Sequence, residues 1–199
     1  LALRDAAANE TSLTATLSPT PAIDASTPTV SGASADPSGG TRKVGQSVTV
    51  TLTASESGLS MGASGSTING VNIPSTKFSA SGSEYSFTYE VQEGDADVAD
   101  QDALPISLSL QDAAGNEVTH TTLANSPSID ANTPTVSSAS ASPSDGTRKV
   151  GESVVVTLTA SDSGLAAGAA ASTINGVDVT STFASAGSSG DSHLYRFTY

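Results

Sequence analysis

Cysteine and tryptophan are absent from this 199-residue chain, and methionine occurs once. Without cysteine there is no disulfide framework and no thiolate chemistry, so packing and hydrogen bonds alone must hold the fold. Cations are scarce as well. Seven Lys and Arg face 20 Asp and Glu, a formal net charge of −13. That balance argues against a phosphate-seeking nucleic-acid binder and against attachment to an anionic membrane surface. No apolar run approaches the roughly 20 residues that cross a bilayer as a helix, so membrane insertion is not expected. Aromatics make up only 4% of the chain, too thin for a broad core around an enclosed pocket. The hydrophobic content of 36% suffices for a narrow two-sheet sandwich filled with Val, Leu, Ile and Ala.

The missing cysteines fit either a reducing compartment or a secreted protein built without disulfides. The Thr/Ser/Ala/Gly-rich composition favours the second, and hence an extracellular or cell-surface location. The chain opens on Leu1-Ala2-Leu3, with no initiator Met and no signal peptide. An excerpt of something longer, or a processed subunit, is expected.

What is present is repetition. Thr27-Pro28-Thr29-Val30 returns as Thr133-Pro134-Thr135-Val136, 106 residues on. Thr41-Arg42-Lys43-Val44-Gly45 returns as Thr147-Arg148-Lys149-Val150-Gly151, and Ser66-Thr67-Ile68-Asn69-Gly70-Val71 as Ser172-Thr173-Ile174-Asn175-Gly176-Val177. Asp5-Ala6-Ala7-Ala8-Asn9 precedes Asp112-Ala113-Ala114-Gly115-Asn116 by 107 residues. A period of this length is too long for a solenoid unit and suits one β-sandwich domain.

Inside the period, apolar residues alternate as half-buried strands require. Val48, Val50, Leu52 and Ala54 point one way, and Thr49, Thr51 and Thr53 the other. Tyr85, Phe87 and Tyr89 form an aromatic stripe matched by Tyr195, Phe197 and Tyr199. No segment of about ten residues carries a helical period. The fold class is all-β, read as tandem immunoglobulin-like sandwiches, one complete and two partial at the ends. The expected division is a partial domain over 1–20 (strands F and G), a complete one over 21–130, and a partial one over 131–199 (strands A to E). In the complete domain strand A spans about 27–35, B 46–55, C 66–73, E 84–91, F 103–111 and G 116–123. The stretch between C and E reads as irregular. The expected phase aligns Leu1 with Leu108 and Tyr199 with Tyr89, so the hairpin through Leu17 and the strands after Thr133 are complementary halves of one sandwich. Leu1, Leu3 and Leu13 on one side, and Val154, Val156, Leu158 and the Tyr195–Tyr199 stripe on the other, are expected to be uncovered.

On the domain opener Asp24-Ala25-Ser26-Thr27-Pro28-Thr29-Val30, the Gly40–Gly45 entry to strand B and the Asp112–Asn116 segment, the chain resembles the bacterial Ig-like repeats of giant secreted adhesins and biofilm surface proteins. The resemblance covers essentially all of the sequence. It implies a spacer or adhesive role outside the cell, commonly with calcium at domain junctions.

Asp112–Asn116 reads first as a hairpin turn, with Asp112 bonding the backbone and Gly115 supplying positive φ. In the earlier copy Ala8 replaces that glycine, so either the turn differs or Asn9 takes the left-handed position. Asp112 and Asn116 also offer oxygen ligands. Glu93, Asp95, Asp97, Asp100 and Asp102 form the densest acidic cluster. Their spacing is not that of an EF-hand, and a solvated loop guarding a sheet edge accounts for them equally. Sandwich topology places this cluster with linker Asp130 and with Asp162 at one join, and Asp24 with Glu56, Asp112 and Asn116 at the other. Carboxylates so gathered repel one another unless a hard cation sits among them, which makes Ca2+ the expected cofactor.

Catalytic constellations are missing. His120 and His193 stand at unrelated points of the repeat, no Ser lies in a nucleophile elbow, and no Gly-rich loop opens a helix. No enzyme is expected. The leading expectation is a structural spacer, with cell-surface or matrix components met by modules outside this stretch. The alternative is a self-assembling filament subunit whose neighbouring copies join head-to-tail by strand complementation. A carbohydrate-binding module is disfavoured, because the aromatics cluster at strand E rather than on an exposed platform.

Overall fold

The computed structural model describes residues 1–12, 14, 19–190 and 192–199. The structure is all-β: strands hold 44% of the residues, and two single-turn 3-10 helices account for the 3% that is helical. The chain forms two compact units. The first comprises 1–42, 47–90 and 98–128; the second comprises 43–46, 91–97 and 129–199.

The first unit is sandwich-like. One sheet runs Val30–Asp36, Ser47–Ala54, Glu84–Glu90, Phe78–Ser81 in spatial order, all antiparallel. The other runs Glu117–His120, Ile106–Gln111, Thr67–Ile68, Val71–Asn72, with Ser60–Met61 also pairing to Ile106–Gln111. The period-2 pattern decides which residues are inside. Val48, Val50, Leu52, Tyr85, Phe87 and Tyr89 from the first sheet are buried, as are Ile68, Ile106, Leu108 and Leu110 from the second. On the opposite face of the first sheet, the hydroxyls of Thr49 and Thr88 lie 3.2 Å apart and those of Thr51 and Ser86 2.8 Å apart, cross-strand pairs that satisfy polar groups beside water. Two tyrosines tie polar ends into the core. Tyr85 donates to the Glu56 carbonyl at 3.0 Å and accepts from the Leu59 amide at 3.1 Å, while Tyr89 accepts from Asn69 Nδ2 at 3.3 Å.

Two local expectations are corrected. The stretch 66–73 is not one strand but a tight hairpin, because Asn69 and Gly70 both take positive φ (54° and 75°) and turn the chain back on itself. The stretch read as irregular holds an edge strand, Phe78–Ser81, joined to Glu84–Glu90 by a two-residue turn in which Gly82 has φ 61°. Polar composition hid this strand, since only Phe78 faces the core.

The second unit repeats the first sheet, in the order Val136–Ser142, Val155–Ala160, Ser192–Thr198, Ala184–Ser189. Its local geometry is reproduced closely. Phe183 stacks on Tyr195 at 5.4 Å and tilts against Phe197 at 5.3 Å, as Phe78 does with Tyr85 at 6.2 Å and Phe87 at 5.1 Å. Asn175 Nδ2 reaches the Tyr199 hydroxyl at 3.2 Å, the counterpart of the Asn69–Tyr89 bond. The aromatic stripe is nevertheless better covered than expected: Tyr195 and Phe197 are buried, and only Tyr199 is open. The Tyr195 hydroxyl donates to the Asp162 carbonyl and accepts from the Leu165 amide, so the loop after Ala160 folds over it. Val154, Val156 and Leu158 are half-exposed, where Val48, Val50 and Leu52 are fully buried.

Near the amino terminus, Ala2–Arg4 pairs with Glu10–Ser12 in a solvent-exposed hairpin. Leu13 and most of the stretch to Leu17, expected to extend its second strand, lie outside the described residues.

Candidate functional site

The Asp112–Asn116 turn is a closed hydrogen-bonded unit. Asp112 Oδ1 accepts from the amides of Ala114 and Asn116, and its other oxygen accepts from Asn116 Nδ2 at 2.8 Å. The Asn116 side-chain bond is the largest cause holding the Asp112 carboxyl below the usual aspartate range. The Asp5–Asn9 turn reproduces each of these bonds, including Asn9 Nδ2 to Asp5 Oδ2 at 2.9 Å, with the same depression of the Asp5 carboxyl. Both expectations for the earlier copy are therefore overturned: the turn is the same, and Ala8, not Asn9, is left-handed, with φ 71° against 91° at Gly115. Five bonds to one aspartate fix the backbone strongly enough to force alanine into a region that its Cβ disfavours.

The structure gathers part of each expected cluster. In the first unit Asn116 Nδ2 lies 3.3 Å from the Asp24 carbonyl, bringing Asp24, Asp112 and Asn116 together. The Asp24 carboxylate itself accepts the Ser26 amide at 3.0 Å, and Glu56 contributes its carbonyl to Tyr85. Asp100 accepts from the Gln101 side chain, and Asp102 is exposed.

In the second unit the acidic loop grips a peptide. Glu93 Oε1 accepts the Thr133 amide at 3.0 Å, and Oε2 accepts the Thr133 hydroxyl at 2.8 Å. Asp97 Oδ1 accepts the Ala131 amide at 2.8 Å, and Oδ2 accepts Asn132 Nδ2 at 2.9 Å. The Gly94 amide completes the join on the Ala131 carbonyl at 2.9 Å. Asp95 turns inward on its own loop, accepting the Gln92 amide at 2.8 Å, and Asp130 accepts the Asn132 amide at 3.4 Å. Asp162 accepts the Ser161 hydroxyl at 2.8 Å. Ala131 is fully buried although its neighbours in the linker are exposed.

In the second unit these carboxylates are engaged by the linker. Their negative charge is met by peptide N–H groups, which are charge-assisted donors of good geometry. Among the described residues, no three Asp, Glu or His side chains are gathered as a metal ion would require. Sequence reasoning named Glu93 only as part of an acidic run and gave Asn132 and Thr133 no role. The pairing spans 40 residues, and no local pattern announces it.

The chain matches no known protein-family model, and no curated protein is significantly similar to it.

Proposed function

We infer that this chain is a stretch of tandem immunoglobulin-like repeats acting as an extracellular structural spacer in a bacterial surface adhesin or fibre. The observation that carries the reading is the docked linker. Residues 131–133 are bound by Glu93, Gly94 and Asp97 rather than left as a free tether. A spacer needs joins of this kind, because a free linker of several residues would let successive repeats reorient and shorten the reach. The duplication supports the same reading. Turn, tyrosine and aromatic geometry recur from one copy to the next, which serves length and repetition rather than a unique pocket.

Calcium belongs to the proposal as an additional stiffener at the joins, drawn by the carboxylates that the sequence concentrates there. Single-molecule stretching of a tandem array tests the spacer role. Uniform unfolding peaks spaced by roughly 350 Å, the extended length of one period at about 3.3–3.6 Å per residue, are expected. A featureless extension at low force would contradict the proposal.

A further inference from the structure

Asparagine followed by glycine is the dipeptide most prone to lose ammonia, because glycine has no Cβ to shield its amide nitrogen from the asparagine side chain. Asn69-Gly70 is such a pair, and it forms the two-residue turn between Thr67–Ile68 and Val71–Asn72. Gly70 is exposed, and a Cβ built on it would meet nothing within 4 Å, so water reaches its side of the turn. Asn69 is held differently. It is only 7% exposed, its amide donates to the Pro105 carbonyl at 2.7 Å, and its Nδ2 donates to the Tyr89 hydroxyl at 3.3 Å.

We propose that Asn69-Gly70 is a deamidation site that the fold holds closed, with Tyr89 as the positioning residue. The reaction needs the Gly70 nitrogen, stripped of its proton, to attack Asn69 Cγ. A five-membered succinimide forms, the Cγ–Nδ2 bond breaks, and Nδ2 takes up a proton and leaves as ammonia. Water then opens the ring at either carbonyl. The product is an aspartate at position 69, or an isoaspartate whose main chain runs through the side-chain carbons.

Tyr89 opposes the first step. Its hydroxyl accepts from the same Nδ2 that has to leave, and the bond fixes the side chain that must turn for Cγ to meet the Gly70 nitrogen. The backbone would have to rotate as well, and the pairs of Ile68 with Val71 and with Ile106 restrain it. The second copy keeps the tyrosine with the unstable dipeptide: Asn175-Gly176 has φ 50° and 77°, and Asn175 Nδ2 lies 3.2 Å from the Tyr199 hydroxyl. Once the site opens, the change is one-way. A carboxylate replaces a hydrogen-bond donor at a buried position. An isoaspartate adds a main-chain atom to a two-residue turn whose register carries Ile68 into the core.

The test incubates the 199-residue chain at mildly alkaline pH, folded in buffer and unfolded in urea. Mass-spectrometric sequencing of the tryptic fragment 44–77 reads conversion at position 69, separately from Asn175. Conversion is expected to be slower in the folded chain than in urea. Tyr89→Phe keeps the ring and removes the acceptor. It should speed conversion in the folded chain by roughly fivefold, the gain in freed side chains when one ordinary hydrogen bond is lost. Tyr85→Phe removes another buried hydroxyl, bonded to Glu56 and Leu59 rather than to Asn69, and should leave the parent rate unchanged. Equal conversion of the parent in buffer and in urea would overturn the proposal, and this comparison stands even where Tyr89→Phe does not fold. An unchanged rate in Tyr89→Phe, or equal acceleration in both tyrosine variants, would overturn it too.

Discussion

Glu93 holds Thr133 with both oxygens of one carboxylate, taking the backbone N–H at 3.0 Å and the hydroxyl at 2.8 Å. With the paired Asp97 bonds to Ala131 and Asn132, this makes the linker part of a folded unit. Glu93→Ala and Asp97→Ala should each loosen it without unfolding either sheet. Amide exchange at Thr133 or Ala131 is expected to speed by roughly fivefold per bond lost, equivalent to about 1 kcal/mol for an ordinary hydrogen bond. Unchanged exchange would show that the linker is held by something else.

The aromatic stripe gives a paired test of core position. Phe87→Ala should cost about 3–5 kcal/mol, the usual range for emptying a fully buried aromatic site. Phe197→Ala, in the sheet whose Val156 and Leu158 are half-exposed, should cost about 1–3 kcal/mol. Urea unfolding followed by NMR probes in each repeat reads the two values. Equal costs would contradict the difference in cover.

Much of this fold was legible in residue order. The alternation at Val48–Ala54 and the stripe at Tyr85–Tyr89 marked buried strands, and both lie fully inside. The hairpin at Asn69-Gly70 was also written in the sequence, since that dipeptide is a strong primed-turn signal, but β-branched neighbours on either side imitate one continuous strand. The edge strand Phe78–Ser81 was not legible. Its serines and alanine are too small and exposed to mark a buried face, and pairing with Glu84–Glu90 alone defines it. The linker grip was hidden for a different reason. Hydrogen bonds from backbone amides to carboxylates depend on position in space, and Ala131 or Thr133 would offer its amide whatever its side chain.

Left-handed backbone at Ala8 and Gly115 predicts opposite substitution effects. Gly115→Ala should destabilise the first repeat by about 1–2 kcal/mol, the cost of a Cβ in that region. Ala8→Gly should instead slow amide exchange in the Ala2–Ser12 hairpin, by removing the same strain. Thermal unfolding and exchange check the two arms, and a neutral Gly115→Ala would contradict the assigned turn.

The Asp112 carboxyl should titrate below ordinary aspartates, because Asn116 donates to its ionised form. A depressed value means that the turn's contribution is fully present above the ordinary aspartate range and is lost as pH falls through the lower folded value. Asn116→Ala should move the midpoint back towards 3.8. NMR titration of the carboxyl carbon reads this directly, and an unshifted midpoint in the parent protein would contradict the bonding.

Glu93 and Asp97 dock residues 131–133 onto the 91–97 loop of the second unit, and the spacer proposal rests on that docking. Spin labels at Gln92→Cys and Ser144→Cys, exposed positions of that unit in a chain without native cysteine, measure it by pulsed electron resonance. Labelling at low concentration with unlabelled chain in excess isolates distances within one molecule. A single narrow distribution is predicted with chelator present, narrowing little further with calcium and broadening in the Glu93→Ala, Asp97→Ala variant. A broad distribution in the parent protein under every condition, unaffected by those substitutions, would contradict it.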